Sequence, residues 1–157
     1  MKALTVKQPW ATLIVKGIKN IENRTWKCPE KYIGKRILIH AAAKRWMWID
    51  VLNYLSRGAN SVIRTLGYDA DWLNQLPTGK IIGSVEIVDC VVNHPSYWAE
   101  KSPLCGMGWE NGIPYYLIGK DTNVVYNWVL DNPIEFETPI PAKGKLSFWD
   151  FDVDSDI

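Results

Sequence analysis

Lys19, Glu22 and Arg24 fall within six residues of one another in the stretch GIKNIENRTW, after Gly17 and before Trp26. Two cations that donate and one carboxylate that accepts are the parts a planar heterocycle needs at its edge, and tryptophans supply a surface on which its face stacks. Lys19 and Arg24 would donate, Glu22 would accept from an exocyclic amine, and Trp10, Trp26 or Trp98 would stack. The competing reading is an exposed ion pair on a strand, which contributes roughly 0–1 kcal/mol.

The elements around these residues decide whether they meet. IKNIENRTW reads as a strand, so alternation puts Asn20, Glu22, Arg24 and Trp26 on one face and Ile21 on the other, toward the core. Lys19 and Glu22 are three apart and reach each other only through a bend near Asn20, which Gly17 upstream makes accessible. Before it, KALTV alternates as a strand, and QPWATLIVKG reads as a short helix with Pro9 near its start and Gly17 as its stop. Lys7 and Gln8 stand at that helix entry, where free N–H groups favour an anion; Gln8 either reads a base edge or does ordinary helix-entry chemistry.

RILIHAA is a buried strand carrying His40. AAKRWMWIDVLNYLSRG reads as one helix with Trp46, Ile49, Leu52 and Leu55 on its core face, ended by Gly58. SVIRTLGY and DADWLNQL read as short helices. GKIIGSVEIVDCVVN is a long strand with a bulge or bend at Gly83 and with Ser84 and Glu86 on one face. Glu86 is either a surface carboxylate or a partner for Arg24. GIPYYLIGK and NVVYNWVLDN are strand-like, the second turning at Asp131-Asn132-Pro133. IEFETPIPAKGKLSFWDFD is extended, broken by Pro139, Pro141 and Gly144. Short strands with few helices and no regular alternation argue an α+β chain, closed or nearly closed into a barrel. A single domain is expected over residues 1–152, with a helical insertion at roughly 43–76 and a frayed tail at 153–157.

The chain has 157 residues, of which nine are tryptophan. Core packing accounts for most of those nine. Cys28, Cys90 and Cys105 are far apart, and His40 and His94 are the only histidines. That excludes a disulfide framework and a zinc site, and fits a reducing cytoplasm. No cofactor and no metal are expected. There is no signal-peptide pattern and no apolar run long enough for a bilayer, so no membrane partner is expected. Residues 1–45 hold eleven basic and two acidic residues; the remainder holds seven and fifteen. That split favours one basic face and a phosphate-backbone partner.

Gly17, Lys19, Glu22 and Arg24 reproduce the G-x-K-x-x-E-x-R motif of the ASCH domain family. KQPWATLIVKGIKNIENRTW resembles that family's N-terminal block, ILIHAAAK its next strand and GSVEIVDCV its central barrel strand. YNWVLDNPIEFETPIPAKGKLSFWDF is similar to the closing segment of long bacterial and phage members. The resemblance spans all but the stretch from about Trp46 to Leu76. It implies a PUA-like β-barrel of about five to seven strands flanked by helices, with the motif lining a cleft beside the barrel.

It also implies a ligand: RNA, single-stranded nucleic acid or a modified nucleoside, held by Gln8, Trp10, Lys19, Glu22, Arg24, Trp26 and His40. His40 is placed near the barrel mouth by the resemblance, whereas a lone histidine on an apolar strand is more often a hydrogen-bonded core residue. Some small ASCH proteins are amidohydrolases acting on acetylcytidine. They resemble this chain at Lys19 and Arg24 but carry a threonine nucleophile where Glu22 stands. Others are ribonucleases. If the chain is an enzyme, it is a metal-independent hydrolase, and Lys19, Glu22 and Arg24 are the catalytic candidates. Glu22 would then activate water, or Lys19 and Arg24 would stabilise a pentacoordinate phosphate while Glu22 or His40 moves the proton. A third class, a protein-interaction domain in transcription, stays open, as does the oligomeric state.

Overall fold

The computed structural model describes residues 1–102, 109–110, 113–114 and 124–153. Cys105, most of GIPYYLIGK and the end of the expected tail lie outside the described residues. Six strands form one sheet in the order β2-β7-β4-β3-β1-β8. They are β1 (Lys2–Val6), β2 (Ile21–Arg24), β3 (Lys35–Ala41), β4 (Lys80–Val91), β7 (Tyr126–Pro141) and β8 (Phe148–Asp150). A separate hairpin pairs β5 (Trp109–Glu110) with β6 (Ile113–Pro114). Among the described strands only β1 and β3 run parallel, Ala3 opposite Leu38 and Val6 opposite Ala41. The architecture is α+β, as expected: one six-stranded sheet with helices packed on it.

Helix α1 (Trp10–Val15) is buried on every side and packs on the concave face of the sheet. It ends in a Schellman turn: Gly17 takes φ +77°, its N–H reaches Ile14 O, and Ile18 N–H reaches Leu13 O. Lys19 N–H also donates to Leu13 O, so the chain doubles back and delivers Lys19 under Trp10. The bend that sequence spacing demanded is therefore made by a helix stop. On β4, Gly83 lets α1 and β7 close in: a Cβ there would stand 2.2 Å from Ile134 O and 2.7 Å from Val15 Cγ1. The ladder shifts register at the same place, between Ile81 and Gly83.

Alternation sorts the sheet's two faces. Leu4, Val6, Ile37, Ile39 and Ala41 join α1 in the main core. Ala3 and Leu38 face the other way, into a small cluster with Ile81 and Trp149. The edge strands β2 and β8 are not laddered to each other. Side chains close the gap between them. Trp26 sits edge-on to Phe148 at 5.8 Å and to Trp128 at 4.7 Å, and Arg24 Nη2 donates to Thr5 O at 2.9 Å. β8 stops pairing with β1 at Leu4, which leaves that carbonyl open to Arg24.

Between β3 and β4 lie three helices: α2 (Trp48–Tyr54), α3 (Arg57–Leu66) and α4 (Ala70–Gln75). The helix expected over AAKRWMWIDVLNYLSRG is shorter, α2 alone, Trp48–Tyr54. It breaks at Leu55-Ser56, because Ser56 caps α3 by accepting from Ala59 N–H. Gly58 lies in the first turn of α3 and does not end a helix. Its value is closeness, since a Cβ would stand 2.9 Å from Tyr97. Ile49 and Leu52, expected on the core face, are exposed, while Val51 is buried. The turn expected at Asp131-Asn132-Pro133 is also absent. β7 runs through it, with Asn132 at φ +50° absorbing an irregularity in pairing.

The basic first third is partly neutralised in space. Lys2 pairs with Asp150 and Lys16 with Glu135, each at 3.0 Å, and Arg36 with Glu86 at 3.3 Å. Each pair joins a cation from residues 1–45 to a carboxylate from the remainder. Glu86 therefore has Arg36, not Arg24, as its partner.

Candidate functional site

Glu22 and Arg24 share a face of β2, as alternation requires, and bond directly. Arg24 Nη2 lies 2.9 Å and Nε 3.2 Å from the same oxygen, Glu22 Oε2. Lys19 Nζ stands 3.9 Å from the other oxygen, Oε1, and donates to Ile21 O. Lys19 is 3% and Glu22 7% exposed, so the pair is no solvated edge. Burial draws the Lys19 ammonium below its ordinary pKa, with Glu22 opposing that shift. Among the described residues no hydrogen bond reaches Glu22 Oε1.

Lys19 and Glu22 line a cavity of about 350 Å³ together with Trp10, Asn23, Trp46, Tyr54 and Glu100. Its aromatic wall is a corner of three rings. Trp10 and Trp46 meet at 5.1 Å and 89°, Trp46 and Tyr54 at 5.2 Å and 76°, and Trp10 and Tyr54 at 5.1 Å and 55°. Trp10 is buried and has Lys19 Nζ 5.8 Å from its ring centre, so it forms the back of the corner. Trp46 and Tyr54, the latter 37% exposed, are the rings open to a ligand.

A polar network braces the rim. Tyr54 OH donates to Glu100 Oε2 at 3.2 Å and accepts from Asn23 Nδ2 at 3.0 Å. Asn23 Oδ1 accepts from Glu100 N–H and from Asn127 Nδ2. Asn127 is fully buried on β7. Helix α2, the edge strand β2, β7 and the segment at Glu100 are thus tied at one point. Burial first, then the Glu100 charge, push the Tyr54 hydroxyl well above its usual pKa, so it stays protonated as a donor.

Other expected ligand residues lie elsewhere. Gln8 is fully buried and spent on the protein: Oε1 accepts from Thr12 N–H, and Nε2 donates to Thr12 Oγ1 and Pro77 O. His40 points to the opposite face of the sheet, because it alternates with Ile39. Its Nε2 donates to Ala142 O at 2.7 Å, and Nδ1 lies 3.3 Å from Thr5 Oγ1. Trp26 is part of the barrel seam. Trp98 is buried in the wall of neighbouring hollows. Arg24 stands behind Glu22, holding it against Thr5 O. The residues that sequence reasoning missed are Asn23, Trp46, Tyr54 and Glu100. The surplus of tryptophan was the one signal for Trp46; nothing local marks the others.

The ASCH domain profile matches residues 4–140. The chain is 30% identical over 149 residues to activating signal cointegrator 1 of Homo sapiens and 28% identical to that of Mus musculus. Each match covers 95% of this chain and 22% of the relative, so the chain spans about a fifth of those proteins' length. The crystal structure of ASCH from Zymomonas mobilis overlaps with a TM-score of 0.47 at 18% identity, covering 89% of this chain and 72% of that one. A point variant of the same protein gives 0.46 at 17%. Overlap that loose carries no residue correspondence.

Proposed function

We propose, from the premise that this chain belongs to the ASCH domain family, that its cleft binds a nucleobase or nucleoside, free or at an unpaired position in RNA. The observation that carries the reading is Glu22 Oε1. It belongs to a buried carboxylate whose other oxygen Arg24 holds, it receives no hydrogen bond among the described residues, and Glu22 lines a cavity that also has two open aromatic rings. A base needs that pairing of edge acceptor and stacking face. The cavity is near the lower end of the roughly 300–1,000 Å³ of ligand pockets, which suits one base with its sugar and not a strand. Phosphate contacts, if RNA is the carrier, fall outside it. Lys7, Lys27, Lys31, Lys35 and Lys44 have no ion-pair partner among the described residues and are available for them.

Tryptophan fluorescence tests this. Nucleosides should quench saturably, and Glu22→Gln, nearly isosteric but a poorer acceptor, should weaken binding about tenfold or more. Failure of every nucleoside and of unpaired RNA to bind would overturn the reading. RNA binding that weakens steeply with salt would add a backbone footprint.

A second reading, hydrolysis of a modified nucleoside amide, is favoured by Lys19. A desolvated amine beside a carboxylate is a group able to take a proton at neutral pH. Release of product from acetylated cytidine in the presence of chelator, abolished in Lys19→Met, is its expected signature. The cointegrator relatives suggest a protein partner instead, for which a pull-down dominated by protein and free of nucleic acid is the sign.

A further inference from the structure

We infer that the cleft selects a positively charged heterocycle, a base made cationic by alkylation of a ring nitrogen, over the neutral base of the same size. This rests on the nucleobase reading above and adds the charge of the ligand.

Of the motif's cations, Lys19 lines the cavity but is bonded to the protein, and Arg24 does not line it. Lys19 Nζ donates to Ile21 O and faces Glu22; Arg24 is spent on Thr5 O and Glu22 Oε2. Each of the two carboxylates in the lining leaves one oxygen over. Glu22 Oε1 receives no hydrogen bond among the described residues. Glu100, at the rim, accepts the Tyr54 hydroxyl on Oε2 only, leaving Oε1 free among the same residues. Asn23, the neutral polar group between them, has both its carbonyl and its amide engaged.

The ring surfaces carry the same preference. An aromatic face is the negative part of a quadrupole, and a cation within about 6 Å of it is attracted. Trp46 and Tyr54 stand 5.2 Å apart and 76° from parallel, so a flat cation against one ring has the other at its edge. The corner already accommodates one such contact internally, Lys19 over Trp10. Two carboxylates and two open rings line one space, and a phosphate there would meet both carboxylates. A neutral base satisfies the acceptors only through its amino hydrogens. A ring-alkylated cation satisfies them and gains at both rings.

Constitutional isomers separate charge from size. Titrate the wild-type chain at pH 7 with 1-methyladenosine and N6-methyladenosine, and with 3-methylcytidine and 5-methylcytidine, reading tryptophan fluorescence. The first of each pair is cationic and the second neutral. The cationic isomer should bind at least about tenfold more tightly, equivalent to about 1.4 kcal/mol. Glu100→Gln should cut that preference, read as the ratio of cationic to neutral affinity within each pair, below about threefold. Equal affinity within each pair overturns the charge selection and leaves nucleobase binding standing. So does a preference that survives in both Glu100→Gln and Glu22→Gln. If none of the four binds, this inference falls, and the nucleobase reading falls with it only where every other nucleoside and unpaired RNA fail as well.

Discussion

His40 and Glu22 are both buried polar side chains on strands of one sheet, and each sits in a hydrogen-bonded group with a tryptophan at hand. At His40 the bonds form a closed chain. Trp149 Nε1 donates to Thr5 Oγ1, Thr5 Oγ1 stands against His40 Nδ1, and His40 Nε2 donates to Ala142 O. Nothing is left over, and Gly144 packs so close that a Cβ there would stand 2.8 Å from the ring. At Glu22 one oxygen is satisfied by Arg24 and the other is not, and a cavity opens beside it. Burial of a polar group is common to both. The unmade hydrogen bond beside unfilled space belongs to one, and that is what marks a binding site.

The largest effect expected from breaking this contrast is Glu22→Ala. It strips Lys19 of its counter-charge inside the protein and frees Arg24, and should cost about 3–5 kcal/mol in a urea melt. Trp46→Ala should act on binding instead. Losing one stacking face costs about 1–3 kcal/mol of nucleoside affinity, with the helices of the insertion still folded. His40→Phe should do the reverse. It leaves the Thr5 hydroxyl hydrogen without its acceptor and Ala142 O without its donor, for about 1–3 kcal/mol of stability, with nucleoside affinity within twofold of wild type. If His40→Phe weakens binding as much as Trp46→Ala does, the contrast is wrong.

A subtler difference is pH. Burial holds His40 below its ordinary value of 6.5, against the Ala142 carbonyl, which favours the charged ring. In the unfolded chain the ring takes its proton first. Its contribution is therefore complete above about pH 6.5 and is lost as pH falls through the lower folded value, by at most about 1.4 kcal/mol per pH unit. Between pH 6.5 and 5 the wild type should lose stability faster than His40→Phe; parallel curves would contradict a buried neutral ring.

How much of this was legible depended on range. Alternation put Glu22 and Arg24 together and Ile21 in the core, and Gly17 marked the reversal that brings Lys19 back. The same rule, applied to ILIHAAA, separates His40 from Ile39 and takes it off the cleft's face. The bulge at Gly83 was readable because a glycine inside a strand seldom has another use. Trp46 and Tyr54 were not readable as site residues, because no local pattern says where an inserted helix docks. The same holds for Glu100, bound to Asn23 across 77 positions. The long helix was overextended because its apolar spacing ran up to Leu55, and the Ser56 hydroxyl that caps the next helix was not read as a break.

The most direct test of the account is a crystal structure of the wild-type protein with the nucleoside that quenches its fluorescence most tightly. The account expects the base against Trp46 and Tyr54, with a ring or exocyclic N–H within hydrogen-bond distance of Glu22 Oε1 and no contact to His40. A base bound elsewhere, for example in the hollow formed by Gly17, His94 and Trp98, would contradict it.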